Sequence, residues 1–225
     1  MRRIIALAGA LACAVALPFA AHAAKPPPVQ KPALTLTASR PSITYGGTLT
    51  LSGVLRGRNH ANKPVALQRN PFPFRGFTTV GVTRTDSKGA YHFIGRPRRH
   101  TRYRTITPEP ATIYDTVIKS PELLEHVRLR VSIRLGNSRP RRGHKVRFSG
   151  FVFPKHNGRK VFIQRRRRDG RWRTVARTVT KNASGNRSRY SRRVRIFRSG
   201  LYRVRVRGDA DHSSGNSRRR LILVH

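Results

Sequence analysis

From Leu34 onward apolar and polar residues alternate with a period of two, and clusters of Gly, Ser, Asn and Asp interrupt the alternation at short intervals. Successive side chains of a strand point to opposite faces, so this pattern predicts half-buried β-strands. No stretch carries a convincing helical period. Many short strands punctuated by turns predict an all-β sandwich. In the second half the predicted strands are 128–135, 145–153, 160–166, 173–179, 189–196, 201–206 and 219–224. The stretch Val161 to Val175, VFIQRRRRDGRWRTV, reads as a hairpin around Asp169-Gly170, a dipeptide that tolerates the positive φ of a type I′ turn. A two-residue loop there opposes Arg168 to Arg171 and Arg166 to Arg173.

The pattern repeats at an offset of about 97 residues. Leu34, Leu36 and Ala38 match Val131, Ile133 and Leu135. Leu49-x-Leu51-Ser52-Gly53 matches Val146-x-Phe148-Ser149-Gly150, Val65 to Arg69 matches Val161 to Arg165, and Phe77 to Val80 matches Trp172 to Val175. Gly89 matches Gly185, and Tyr103-Arg104 matches Tyr202-Arg203. Two units of about seven strands follow, residues 33–126 and 127–225. Trp172, aligned with Phe77, is expected in the core, as are most of Phe162, Tyr190 and Phe197.

Tyr45-Gly46-Gly47-x-Leu49-x-Leu51-Ser52-Gly53, Lys63-Pro64-Val65-x-Leu67, Thr85 to Phe93 and Tyr103-Arg104, with their counterparts in the second unit, resemble the bacterial Ig-like domains found in tandem in secreted actinobacterial proteins. The resemblance covers residues 33 to 225. It implies two tandem immunoglobulin-like β-sandwiches acting as spacers, adhesin stalks or binding modules without catalytic residues. The second unit departs from the pattern where Asn186-Arg187-Ser188 stands in place of a Gly-x-Tyr-x-Phe strand start.

Charge changes the picture most. The chain has 225 residues, with 49 Lys and Arg against 8 Asp and Glu, a formal net charge of +41. Residues 126–225 hold 31 of the bases and 3 of the acids. In 128–135 and 202–207 most polar positions are arginine, which strand geometry gathers on one solvent face. Arginine binds phosphate or carboxylate through two parallel hydrogen bonds where lysine acts as a point charge. Arg128, Arg130, Arg134, Arg165, Arg166, Arg167, Arg168, Arg171, Arg173, Arg203, Arg205 and Arg207 are the candidate polyanion-binding residues. Phe72, Phe74 and Phe77, in a Pro-Phe-Pro-Phe hairpin tip, are candidates for an apolar contact or for folding back onto the sandwich.

Residues 1–23 read as a secretory signal: Arg2-Arg3, an apolar core from Ile4 to about Phe19, and Ala21-His22-Ala23 as the cleavage pattern. Residues 24–32 form a proline-rich tether. Cys13 is the one cysteine, so cleavage leaves no disulfide to support the domains. No second apolar stretch reaches the length of a membrane span.

Catalytic and metal chemistry find little footing. Glu122 and Glu125 fall in the predicted connection between units, Asp86 and Asp169 in turns, and no carboxylate pair or nucleophile motif stands out. Asp209-Ala210-Asp211-His212-Ser213-Ser214-Gly215 departs from a calcium loop, with Gly one place late and Arg220 at the twelfth position, and reads as a polar turn. The nine histidines lack metal-ligand spacing and read as isolated surface or turn residues. No enzyme activity, cofactor or metal is expected. The expected role is a secreted structural or adhesive module held to anionic cell-envelope polymers; the alternative is an extracellular nucleic-acid or generic polyanion binder.

Overall fold

A computed structural model of the chain describes residues 31–57, 59–108 and 117–225. The expected signal segment and residues 24–30 of the tether lie outside them. The architecture is all-β, with no helix among the described residues. The first half contributes β1 (Ala33–Leu34), β2 (Thr37–Ala38), β3 (Ser42–Thr44), β4 (Leu49–Arg56), β5 (Pro64–Pro71), β6 (Thr78–Arg84), β7 (Ala90–Gly95), β8 (Thr101–Ile106) and β9 (Leu123–Arg128). The second contributes β10 (Arg130–Val131), β11 (Arg134–Leu135), β12 (Lys145–Phe153), β13 (Lys160–Arg166), β14 (Trp172–Val179), β15 (Lys181–Asn182), β16 (Ser188–Arg195), β17 (Gly200–Val206), β18 (Gly215–Asn216) and β19 (Arg220–Ile222).

Each half is built from two sheets. In the second, β12 joins β10, β11 and β16, with β15 at the edge, while β13 and β17 are central to the other sheet, with β14, β18 and β19. Val146, Phe148 and Tyr190 from one sheet meet Ile163, Tyr202, Val204 and Ile222 from the other in one core. Each such side chain contributes about 1.5–3 kcal/mol by leaving water. In the first half β4 with β1, β2 and β7 packs against the sheet ordered β3-β9-β8-β5-β6. Their cores centre on Leu51, Leu67 and Tyr103, and on Leu55, Val65 and Tyr91. Val127, expected to open the second unit, packs in the first-half core, and Glu125 lies within β9 rather than in a connection.

The expected strand at 128–135 is interrupted, and the cause recurs in both halves. Ser132 donates its N–H to the Phe151 carbonyl, while its hydroxyl oxygen accepts the Phe151 N–H at 2.8 Å. Thr35 treats Val54 the same way. The carbonyl thereby released from the ladder accepts the hydroxyl of Tyr190 in the second half, at 2.7 Å, and of Tyr91 in the first. A Cβ on Gly150 or Gly53 would overlap that carbonyl oxygen. The glycine of the repeated Leu/Phe-Ser-Gly is therefore a packing requirement. Because Tyr190 pairs with Gly150 as Tyr91 pairs with Gly53, the second half keeps the strand-start tyrosine; its turn after Gly185 is three residues longer.

Candidate polyanion-binding surface

Both halves carry the same bulge, between Leu67 and Gln68 and between Ile163 and Gln164. The glutamine after it accepts an arginine: Arg203 Nε donates to Gln164 Oε1 at 2.9 Å, and Arg104 Nε to Gln68 Oε1 at 2.8 Å. Each guanidinium then lies over a ring, Arg203 at 4.1 Å from the Trp172 centroid and Arg104 at 3.9 Å from that of Phe77. Trp172 is thus half-buried on the outer face, outside the core cluster where its apolar character would place it. A cation over an indole supplies about 0.5–2 kcal/mol and adds to the strand register that places Trp172 opposite Arg166. Burial, with Arg205 and Arg219 nearby, lowers the Arg203 guanidinium from its ordinary range. Tyr190 joins the core as expected, whereas Phe197 is exposed.

Arginines alternate outward on each strand, but the two arginine-rich strands belong to different sheets. Arg203, Arg205 and Arg207 follow the outer face of the β13–β17 sheet. Arg130 and Arg134 lie on the β12 sheet, where Arg147 pairs with Arg193 and Lys145 with Arg195. Arg130 covers Phe153 at 4.3 Å. Arg128 ends β9, and its carbonyl accepts the Tyr45 N–H at 2.8 Å. The single stripe expected from the two strands is therefore divided between two sheets.

The densest cluster is at the β13–β14 tip. Arg167 N–H donates to the Arg171 carbonyl at 2.8 Å and Gly170 N–H to the Arg167 carbonyl at 3.1 Å. The loop is therefore three residues, Arg168 to Gly170, rather than two. Only Gly170 needs positive φ, at 79°, while the Asp169 carboxylate accepts the Arg171 N–H at 3.0 Å. In this register Arg165 opposes Arg173 and Arg166 opposes Trp172, replacing the expected pairs. Arg165, Arg166, Arg167 and Arg168 line an open cleft with Arg198, Ser199 and Gly200. Asp169, the one acid there, lies 3.5 Å from Arg167. Arg198 was not legible as a partner because it follows β16, distant in sequence. In the first half the matching tip has Phe72 and Phe74 edge to face at 5.5 Å, with Arg102 over Phe74 at 4.7 Å and Phe77 under Arg104.

The opposite end of the second half meets the first. His100 N–H donates to the Asp211 carbonyl at 2.9 Å, and Asn186 Nδ2 donates to the Tyr45 hydroxyl at 3.0 Å. His212 Nε2–H donates to the Arg98 carbonyl at 2.7 Å. Beside it His156, Asp209 and Asp211 converge, with Arg159 Nη2 2.5 Å from Asp209. His156 and His212 are therefore neither isolated nor exposed; residues 209 to 212 do form a turn, but one whose acids are engaged by histidines. Burial opposes ionisation of Asp211, yet hydrogen bonds with Asp209, His212 and His156 hold its carboxyl well below the usual range. His100 Nδ1 accepts the Val127 N–H at 3.0 Å, which fixes its neutral tautomer; burial, then His126 and His212, lower its affinity for a proton. The sequence signal for this cluster was weak: two of three second-half acids within three residues of a histidine, and His156 more than fifty residues away.

Glu125 is 1% exposed, and its Oε1 has no hydrogen-bond partner. Burial pushes its carboxyl up to about 7 against a hydrogen bond from the Ile43 backbone. No helix of the described residues is long and apolar enough to cross a membrane. Comparison with known proteins finds no matching family model and no similar curated sequence.

Proposed function

We propose that the chain is a secreted, non-enzymatic pair of immunoglobulin-like sandwiches that binds polyanions electrostatically, anchored through the β13–β14 tip to anionic cell-envelope polymers. The carrying observation is the open cleft in which Arg165, Arg166, Arg167, Arg168 and Arg198 surround a single acid. Guanidinium groups crowded at this spacing repel one another, and a phosphate- or carboxylate-bearing polymer relieves that repulsion while releasing its counterions. The outward arginines of both sheets add a diffuse field that raises the encounter rate.

The same observations bear on nucleic acid. Single-strand binders offer open rings to stacked bases. Here Trp172, Phe77, Phe74 and Phe153 are already covered by arginines, and Arg187 covers Phe151. That favours a backbone-anion contact without base selectivity.

A salt titration tests the reading. Retention of the full chain on teichoic acid or heparin beads falls steeply with salt, and single-stranded DNA of equal charge density binds no more tightly. Retention that is flat across salt sinks the electrostatic anchor; a strong preference for DNA replaces the polymer with nucleic acid.

A further inference from the structure

The junction cluster joins His156, on the β12–β13 loop, to Asp209, Asp211 and His212, on the β17–β18 loop. One ligand-capable atom from each lies within 4.8 Å of all the others. His156 Nε2 stands 3.1 Å from an Asp209 oxygen and 3.4 Å from an Asp211 oxygen, and His212 Nδ1 stands 2.9 Å from that same Asp211 oxygen. Four ligands held tetrahedrally at about 2.0–2.1 Å from a zinc ion lie about 3.3 Å apart. The nearest spacings already straddle that value.

A second, independent feature is what each imidazole does with its other nitrogen. His212 Nε2–H donates to the Arg98 carbonyl at 2.7 Å, and His156 Nδ1–H to the Pro154 carbonyl at 3.1 Å. The other nitrogen of each ring is thereby left facing the carboxylates. Backbone carbonyls hold metal-binding histidines in this orientation, fixing tautomer and ring angle together. A ring nitrogen meets a carboxylate oxygen at these distances with positive charge between them, a proton on the ring or a metal ion in its place. The two rings are 8% and 2% exposed, and a cation placed between them serves both at once.

We infer that His156, Asp209, Asp211 and His212 form a binding site for a divalent transition metal of the zinc class. Two imidazoles and two carboxylates suit zinc and its first-row neighbours, whereas calcium and magnesium take oxygen ligands. Arg159 is the resident competitor: it contacts the Asp209 oxygen that faces His156, and at 40% exposed it has solvent to move into. The ion ties the two loops together. Through the His212 to Arg98 and His100 to Asp211 hydrogen bonds, it stiffens the contact between the halves.

The test uses the full chain without an affinity tag, stripped with a chelator and titrated with zinc chloride by calorimetry, with thermal unfolding followed in parallel. One ion binds per chain and the melting temperature rises by several degrees at saturation. His156→Gln and Asp209→Asn each weaken binding by more than about a hundredfold, beyond the loss expected when only an outer partner is removed. His92→Gln leaves it unchanged, and Arg159→Gln strengthens it severalfold. Cobalt in place of zinc gives the visible absorption of a tetrahedral site, which a purely structural histidine cluster does not produce. His212 is kept intact because its loss opens the junction itself. Absence of binding heat and of thermal shift overturns the assignment, as does full-strength binding in both His156→Gln and Asp209→Asn.

Discussion

The two halves share their buried machinery and differ at their ends. Both have the Ser/Thr interruption, the glycine beneath it, the tyrosine that caps the released carbonyl, the bulge before glutamine, and the arginine stacked on a ring. In the first half the end carrying the β5–β6 tip, with Arg69, Arg96, Arg98 and Arg99 around its cleft, is the end that receives the 209–212 loop. In the second half the equivalent end, with Arg165 to Arg168 and Arg198, meets no further unit among the described residues. A scaffold element can thus serve as a joint in one copy and an open cationic cleft in the other.

The strongest way to break this comparison is at the shared glycines. A Cβ at Gly53 meets the Thr35 carbonyl and the Tyr91 hydroxyl; at Gly150 it meets the Ser132 carbonyl and, at 2.8 Å, the Tyr190 hydroxyl. The neighbours are backbone and buried ring, so neither can yield easily. Gly53→Ala and Gly150→Ala each cost about 3 kcal/mol or more, at the upper end for overpacked cores. Chemical denaturation with separate probes of the halves measures this. If one half tolerates its alanine, the two are not built alike.

The next test sharpens a difference. β9 pairs Glu125 with Thr101, as β19 pairs Ile222 with Gly200, so the first half buries a carboxyl where the second buries Ile222. With the folded value near 7 and an ordinary unfolded value of 4.5, both states are protonated in acid and contribute nothing. As pH rises from 4.5 to 7 the unfolded chain ionises first, so stability falls; above 7 the loss is complete at about 3 kcal/mol. Glu125→Gln lacks this falling limb. Parallel pH–stability curves for the variant and the parent refute the account.

Strand positions were legible because alternation is a local signal: β12 and β13 span the predicted Lys145–Phe153 and Lys160–Arg166. Trp172 was misread because hydrophobicity does not reveal that a guanidinium from β17 will cover the ring. Asp-Gly fits both a two-residue type I′ loop and a three-residue loop with Gly at positive φ, so register at the tip depended on strand pairing. The histidine–aspartate cluster was not legible, since its members come from two loops and are oriented by a carbonyl of the other half.

The smallest effect on stability is expected where the effect on binding is largest. Arg165 faces Arg173 across the hairpin, and like charges directly opposed destabilise a pair by some tenths of a kcal/mol. Arg166, Arg167 and Arg168 are exposed; the N–H bonds of Arg167 and Gly170 that close the loop join backbone atoms, and the side chains add a long Arg166 Nε contact to the Gly170 carbonyl at 3.4 Å and the Arg167–Asp169 pair at 3.5 Å. Replacing Arg165 to Arg168 with Ser or Thr therefore leaves the melting temperature unchanged or slightly higher. The variant loses affinity for anionic polymer, and its dependence of log affinity on log salt flattens by roughly 0.7–0.9 for each phosphate contact removed. A collapse of folding in the variant would make the arginine run structural, and an unaltered slope would place the anion contact on the sheet faces instead of the tip.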